Sequence, residues 1–309
     1  MAESRPPVIA VCGEALIDLV PTAPGSTTYD ALPGGSPANT AVALARLGVP
    51  VTLLARFSAD GFGQQLRDHL VANGVDLSRS VAASERSSLA IVSTAADGSA
   101  AYRFDLAGTA DWQWTVEELA ALPDSVVGVH AGSLALATPP GGAALEELLR
   151  RSRATATVSI DPNLRPGLLT ATTSVDVERW IALADVLKVS SDDLALLHPG
   201  ASPEGVARRW AAAGPGLVVV TLAGDGALAV VGDQVLHRPA RSVTVVDTVA
   251  AGDTFTAGLL EELWRRGRLG GRLDGLTGED AVAAVERGLQ AAAVTCSRPG
   301  ADPPYATEL

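Results

Sequence analysis

Asp253 is the residue whose neighbours best prepare it for chemistry. It lies in Val245-Val246-Asp247-Thr248-Val249-Ala250-Ala251-Gly252-Asp253-Thr254-Phe255, where the β-branched run from Ser242 to Val246 predicts a short strand. Phe255, Leu259, Leu260, Leu263 and Trp264 then recur at helical spacing, so Ala250, Ala251 and Gly252 fall on a strand-to-helix turn. Free backbone N–H groups and the positive end of the helix dipole converge on such a turn, and these small residues leave room for an anion. A carboxylate in a first helical turn complements the dipole in any protein. Beside a bound phosphate it would also repel, which suggests two sequential tasks: taking a proton, then lying next to transferred charge. Further along the same helix, Glu261 and Glu262 precede Arg265 and Arg266 by four positions and predict charge pairs on a solvent face, before Gly267, Gly270 and Gly271 end the helix.

Asp247-Thr248-x-Ala250-Ala251-Gly252-Asp253-x-Phe255-x-x-Gly258 resembles the C-terminal signature of the ribokinase-like (PfkB) carbohydrate kinases, usually D-T-x-G-A-G-D-x-F, with Ala250 in place of the first glycine. The resemblance implies that Asp253 takes the proton from a primary sugar hydroxyl, which then attacks the γ-phosphorus of ATP. It also implies that Mg²⁺ and the N–H groups of Ala251, Gly252 and Asp253, on the turn that begins at Ala250, stabilise the moving phosphoryl group.

The elements that must position these residues follow an α/β rhythm. Val8 to Cys12 is a short apolar run, as expected of a strand covered on both faces, and it leads into Gly13-Glu14-Ala15-Leu16-Ile17-Asp18. An acid just past a buried parallel strand is where ligands sit in open sheets, although Asp18 read alone is an ordinary turn residue. Gly34-Gly35-Ser36-Pro37-Ala38-Asn39 precedes an apolar helix from Ala41 to Leu47; paired glycines let backbone approach a ligand, and Asn39 offers both donor and acceptor to a sugar hydroxyl. Val51 to Ala55 and a helix on Phe62, Leu66 and Leu70 continue the alternation. Ser88 to Thr94 and Ser99 to Phe104 break it as two strands joined through Ala95-Ala96-Asp97-Gly98, whose Asp-Gly is a hairpin signal.

Val126 to His130, Ala156 to Ile160, Val186 to Val189 and Leu217 to Thr221 predict further strands, with helices over Ala143 to Arg151, Glu204 to Ala213 and the Ala-rich run 281 to 293. Asp161-Pro162-Asn163-Leu164-Arg165 is similar to the family's D-x-N-x-R, whose polar side chains approach sugar and phosphate. Ser190-x-x-Asp193 stands where the family carries N-x-x-E, with a shorter carboxylate that favours water-mediated Mg²⁺ contact. Thr221-Leu222-Ala223-Gly224-Asp225-Gly226 resembles the nucleotide-side T-x-G-x-x-G, and Gly226 is its safer match. Thr295-Cys296-Ser297-Arg298-Pro299-Gly300-Ala301 resembles a loop that closes over adenine and, with Asp247 and Val249, lines a site for a monovalent cation such as K⁺ in some members.

The resemblance therefore implies a ribokinase-like α/β fold: a doubly wound, mostly parallel sheet flanked by helices, with a small β-sheet lid. Residues 1–13, 35–87 and 112–309 would form the core, and 14–34 and 88–111 the lid, a frequent homodimer contact in that family. Asp18, Gly34, Gly35, Asn39, Arg103 and Asn163 would bind the sugar, with Tyr102 and Phe104 also facing it. Ser190, Thr221, Gly226, Gly252 and Arg165 would bind the nucleotide. Gly13 to Asp18, Gly108-Thr109-Ala110-Asp111 and Thr295 to Arg298 resemble fructokinases, and Gly132-Ser133-Leu134 lacks the glutamate that ribokinases use, so fructose is the expected substrate. Ribose, 2-keto-3-deoxygluconate, tagatose phosphate or a nucleoside are the alternatives within the family, and a sugar- or nucleotide-binding regulator without turnover is the alternative of another class.

Composition bounds the rest. A chain of 309 residues fits two domains or one enlarged α/β domain, and no linker divides it. A formal charge of −12 argues against nucleic acid or an anionic membrane as partner, and it repels nucleotides as well, so ATP would depend on Mg²⁺ and local backbone dipoles. Cys12 and Cys296 have neither disulfide-framework nor metal spacing; with no signal-like or membrane-length apolar run, a cytoplasmic protein is expected. Lys188 is the only lysine, which excludes a P-loop lysine; H-R-D, D-F-G, G-x-S-x-G and zinc-spaced histidines are also missing.

Overall fold

The described residues form three sheets: a large one that forms the core, a four-stranded one beside it and a two-stranded pair. The computed structural model describes residues 6–23, 25–94, 100–168 and 173–309. In chain order the first half gives β1 (Val8–Cys12), β2 (Leu16–Pro21), β3 (Tyr29–Gly34), α1 (Ser36–Arg46), β4 (Val51–Leu54), β5 (Arg56–Ser58), α2 (Gly61–Ala72), β6 (Val81–Ala83), β7 (Leu89–Thr94) and β8 (Ala100–Asp105). The second half gives β9 (Val126–Gly132), α3 (Ser133–Ala137), α4 (Gly141–Ser152), β10 (Thr157–Asp161), α5 (Thr173–Ile181), β11 (Val186–Ser190), α6 (Ser191–Leu197), α7 (Pro203–Ala211) and β12 (Leu217–Thr221). The hairpin β13 (Ala227–Val231) and β14 (Gln234–Arg238) follows, then the long helices α8 (Ala251–Arg265) and α9 (Gly278–Cys296).

The large sheet has the order β14-β13-β12-β11-β10-β9-β1-β4, parallel from β4 to β12 and antiparallel at the β13–β14 hairpin. Period-two alternation splits its side chains between two cores. On β12, Val218 and Val220 pack with Leu145, Leu149, Trp180 and Trp210 of one helical layer, whereas Leu217 and Val219 pack with Leu259, Leu263 and Val285 of α8 and α9. On β1, Ala10 and Cys12 join the first layer, while Ile9 and Val11 meet Ala41 and Leu44 of α1 and Ala257 and Leu260 of α8. The chain leaves β1 for β4 on one side and later adds β9 on the other, so the winding reverses at β1, where crevices open at strand C-termini. The small sheet has the order β3-β2-β7-β8.

Local chemistry sets the functional ends of these elements. α1 begins at Ser36, five residues before the Ala41 start expected from sequence, because Pro37 suits a first helical turn; Ser36 and Asn39 thereby share that turn. Ser190 and Asp193 form a reciprocal capping box on α6.

Two expectations are corrected, and one hairpin is new. Ser242 to Val246 is not a strand: it pairs with no strand among the described residues, where of the five only Val246 has a backbone bond, to the Cys296 carbonyl, and Val245 and Val246 are 61% and 58% exposed. The β13–β14 hairpin was not anticipated, although Gly232-Asp233 between two apolar runs is a two-residue hairpin signal. Glu261 and Glu262 are buried: Glu262 does pair with Arg265 and Arg266, but Glu261 reaches across to Arg287 of α9 at 2.8 Å. The expected hairpin turn Ala95–Gly98 lies outside the described residues.

Candidate active site

A cleft of about 790 Å³ runs along the C-terminal ends of the parallel strands, and Asp253 stands in its wall while only 7% exposed. Its two oxygens are held separately: Ser36 Oγ donates to Oδ1 at 2.6 Å and Asn39 Nδ2 to Oδ2 at 2.9 Å. The first turns of α1 and α8 therefore fix one carboxylate between them. Ala250 precedes α8 in the left-handed region at φ 59°, so alanine stands there with a cost of about 1–2 kcal/mol that a glycine would avoid. Thr254 N–H donates back to the Ala250 carbonyl and Ala251 N–H to Thr248 O, so Ala251, expected to offer its amide to phosphate, has already used it. The amides of Gly252 and Asp253 donate to no other described residue.

One end of the cleft is built from the small sheet and from β1, β9 and β10. Asp18, on β2, lines it; burial pushes its carboxyl up to about 6, Arg165 opposing and Asp253 reinforcing the shift. Gly34 does not line the cleft. Its backbone lies so close to the Asp18 carboxylate that any Cβ would overlap an oxygen, so its part is to make room for Asp18. Gly35, at φ 102°, does line it and abuts the Glu14 carbonyl. Asn163 sits in left-handed backbone at φ 40°, accepts from Arg165 Nη1 at 2.6 Å, and lines the cleft with Arg165. Arg103 is corrected: it is exposed on β8 and does not reach the cleft, because side chains alternate along a strand and Phe104 takes the inward position. The side chain of Tyr102 lies outside the described residues.

Ser190, Asp193, Thr221 and Gly226 line the other end. Asp193 Oδ2 accepts from the amide and hydroxyl of Ser190 and Oδ1 from the amide of Leu164 at 2.7 Å, so Oδ2 caps α6 while Oδ1 ties it to the Asn163–Arg165 loop. Gly226, at φ 97°, packs against the Arg238 carbonyl where no side chain fits. Asp247 closes its loop, accepting from Val249 N–H at 3.0 Å and Gly300 N–H at 2.9 Å. No group of three or more His, Cys, Asp or Glu side chains among the described residues could hold a metal by itself.

Several cleft residues escaped the sequence reading. Ser36 was passed over as part of a glycine turn. Glu14, 1% exposed, lines the cleft and accepts from Ala135 N–H at 3.1 Å. Burial pushes its carboxyl up to about 7, with nearby Asp111 adding to the rise and Ser133 and Arg165 opposing it. Lys188, counted in the sequence only to exclude a P-loop, lines the cleft with its Nζ 2.8 Å from Asp161 Oδ2. Burial alone would lower its pKa, but Asp161, then Asp193 and Asp253, hold it above the usual lysine range. No local signal marks these residues; only the position of Glu14 just past the end of β1 hinted at one of them.

A doubly wound sheet with a cleft at its strand C-termini, and a carboxylate held there at a helix start beside small residues, is an architecture for binding small polar ligands. Residues 7–308 match the family model described as "pfkB family carbohydrate kinase". A fructokinase of Rhizobium leguminosarum bv. trifolii is 37% identical over 260 residues, covering 83% of this chain and 79% of its own. Among solved structures, the fructokinase of Xylella fastidiosa with bound ATP superposes with a TM-score of 0.86 at 28% identity, covering 98% of this chain and 94% of that one. A double mutant of the Vibrio cholerae O395 fructokinase with fructose, ADP and potassium ion bound gives a TM-score of 0.81 at 27% identity, covering 96% and 94%. The chain belongs to the pfkB family of carbohydrate kinases. It is a phosphotransferase that acts on a sugar hydroxyl.

Proposed function

We propose that the protein is an ATP-dependent fructokinase in which Asp253 is the general base. The observation that carries this reading is the carboxylate of Asp253, held between Ser36 and Asn39 with the cleft in front of it. Fructose would lie between Asp18, Gly35, Asn39 and Asn163, with the small sheet (14–34 and 88–111) as its lid, and ATP would extend past Arg165, Ser190, Thr221 and Gly226. Asp253 draws the proton from a primary hydroxyl as that oxygen forms its bond to the γ-phosphorus and the bond to ADP breaks. The amides of Gly252 and Asp253 and the dipole of α8 receive the charge of the phosphoryl group.

The donor set accommodates Mg²⁺ only in company with the nucleotide: Asp193 has both oxygens engaged, so it would meet the ion through water while the phosphates supply direct ligands. Bound there, Mg²⁺ would neutralise phosphate charge. Asp247 and Val249 would line a site for a monovalent cation such as K⁺; the relative solved with potassium ion supports testing it.

The test is coupled ADP release over a panel of ketoses, aldoses and nucleosides, with Asp253→Asn beside the wild type. Fructose should give the highest kcat/KM, and the variant should lose on the order of 10²- to 10⁴-fold in kcat. Near wild-type turnover in Asp253→Asn removes the base assignment, a better substrate replaces fructose, and sugar or nucleotide binding without ADP release makes the protein a regulator.

A further inference from the structure

Lys188 presents a buried charge whose placement a structural ion pair does not explain. Its side chain is 5% exposed, its Nζ donates to Asp161 Oδ2 at 2.8 Å, and it nevertheless lines the cleft. A Cβ built on Gly252 would stand 3.1 Å from Nζ, so the ammonium lies directly against the turn that opens α8. That ammonium carries three donors, and its hydrogen bond among the described residues is the one to Asp161. The other titratable groups facing it are His130 from β9, Asp193 from α6 and Asp253 from α8. Burying a lysine is costly even when it is paired, and a chain of net charge −12 has to neutralise phosphate locally.

We propose that Lys188 is a catalytic residue of phosphoryl transfer: held by Asp161 against Gly252, it donates to the non-bridging oxygens of the phosphoryl group while that group moves. This rests on the reading of the cleft as a phosphoryl-transfer site. The sugar oxygen forms its bond to phosphorus as the bond to the ADP oxygen breaks, the hydroxyl proton goes to Asp253, and Lys188 keeps its protons throughout. Asp161 is a positioning residue, acting through Lys188. Gly252 acquires a steric requirement as well, since any side chain there would crowd the ammonium.

The experiment measures kcat, KM and pH profiles by ADP release with ATP and the best sugar. Lys188→Met should lower kcat by about 10²- to 10³-fold while KM for the sugar stays within about threefold, and Lys188→Arg should recover part of the loss. Lys188→Met leaves Asp161 buried without its counter-charge, so the pair Asp161→Asn and Asp161→Asn/Lys188→Met provides a comparison free of that burden. Asp161→Asn keeps the ammonium and should lose only about tenfold, with its alkaline limb moved to lower pH; the double variant should lose a further 10²-fold or more. Equal kcat in those two variants, or Lys188→Met turning over like the wild type, overturns the proposal. A wild type that transfers phosphate to no sugar overturns instead the sugar-kinase reading beneath it.

Discussion

At the scale of single residues, the cleft holds more carboxylates than its cations can answer. Glu14 and Asp18 line it and Asp161 lies behind its wall; Glu14 and Asp161 are buried and Asp18 half-buried, and their carboxyls are pushed up to about 7 for Glu14 and about 6 for Asp18 and Asp161, burial being the first cause in each case. A carboxyl whose pKa is higher in the folded chain contributes its stability fully below the ordinary value, here 4.5 for Glu14, and loses it as pH rises through about 7. Glu14→Gln removes the ionisation yet keeps an acceptor for Ala135 N–H. The variant should match the wild type in thermal midpoint near pH 4.5 and exceed it near pH 8, by a difference on the order of 1–3 kcal/mol. Parallel melting curves at every pH would show that the Glu14 site is wetter than its burial implies. Asp253 was legible from sequence because three signals converged on it: small residues, a helix start and a family signature. Glu14 was not, because nothing local tells a strand-end glutamate inside a cleft from one on a surface turn.

At the scale of elements, α8 is pinned from two sides. Gly258 on α8 and Gly288 on α9 let the two helices touch: a Cβ at 288 would stand 2.8 Å from the Phe255 carbonyl and 3.0 Å from its ring. Gly288→Ala should therefore cost about 1–3 kcal/mol, read as a lower urea midpoint with an unchanged slope. Ala250 offers the opposite experiment. At φ 59° it is strained, and Ala250→Gly should stabilise the protein by on the order of 1 kcal/mol in the same assay. Helices and central strands were legible because their periods are strong. Failure came where tertiary pairing decides: Val243, Val245 and Val246 have the composition of a strand but pair with none among the described residues, whereas Ala227–Val231 became one because Gly232-Asp233 folds Gln234–Arg238 back onto it.

At the scale of the whole molecule, net charge and site oppose each other. A formal charge of −12 repels an approaching nucleotide, so in the proposed function association would rely on short-range groups that line the cleft, such as Arg165, Lys188 and the start of α8. Screening should help it. Raising ionic strength from about 10 mM to about 150 mM with tetramethylammonium chloride, which keeps K⁺ out of the comparison, should lower KM for ATP about twofold. A KM that rises instead would mean that attraction within the cleft outweighs the repulsion of the surface. No helix among the described residues is long and apolar enough to cross a membrane.

The α/β class, the places of most strands along the chain and the position of the carboxylate proposed as base were determined by the sequence itself, because hydrophobic period and turn chemistry are local and short motifs keep their own geometry. Tertiary structure decided which side chains share the cleft: that Ser36 and Asn39 hold Asp253 across 217 and 214 positions of chain, that Phe104 rather than Arg103 faces inward, and that Lys188 lies under Gly252. Contacts between residues so far apart depend on how strands register and helices cross, and that information is spread over the whole chain instead of written beside the residues it brings together.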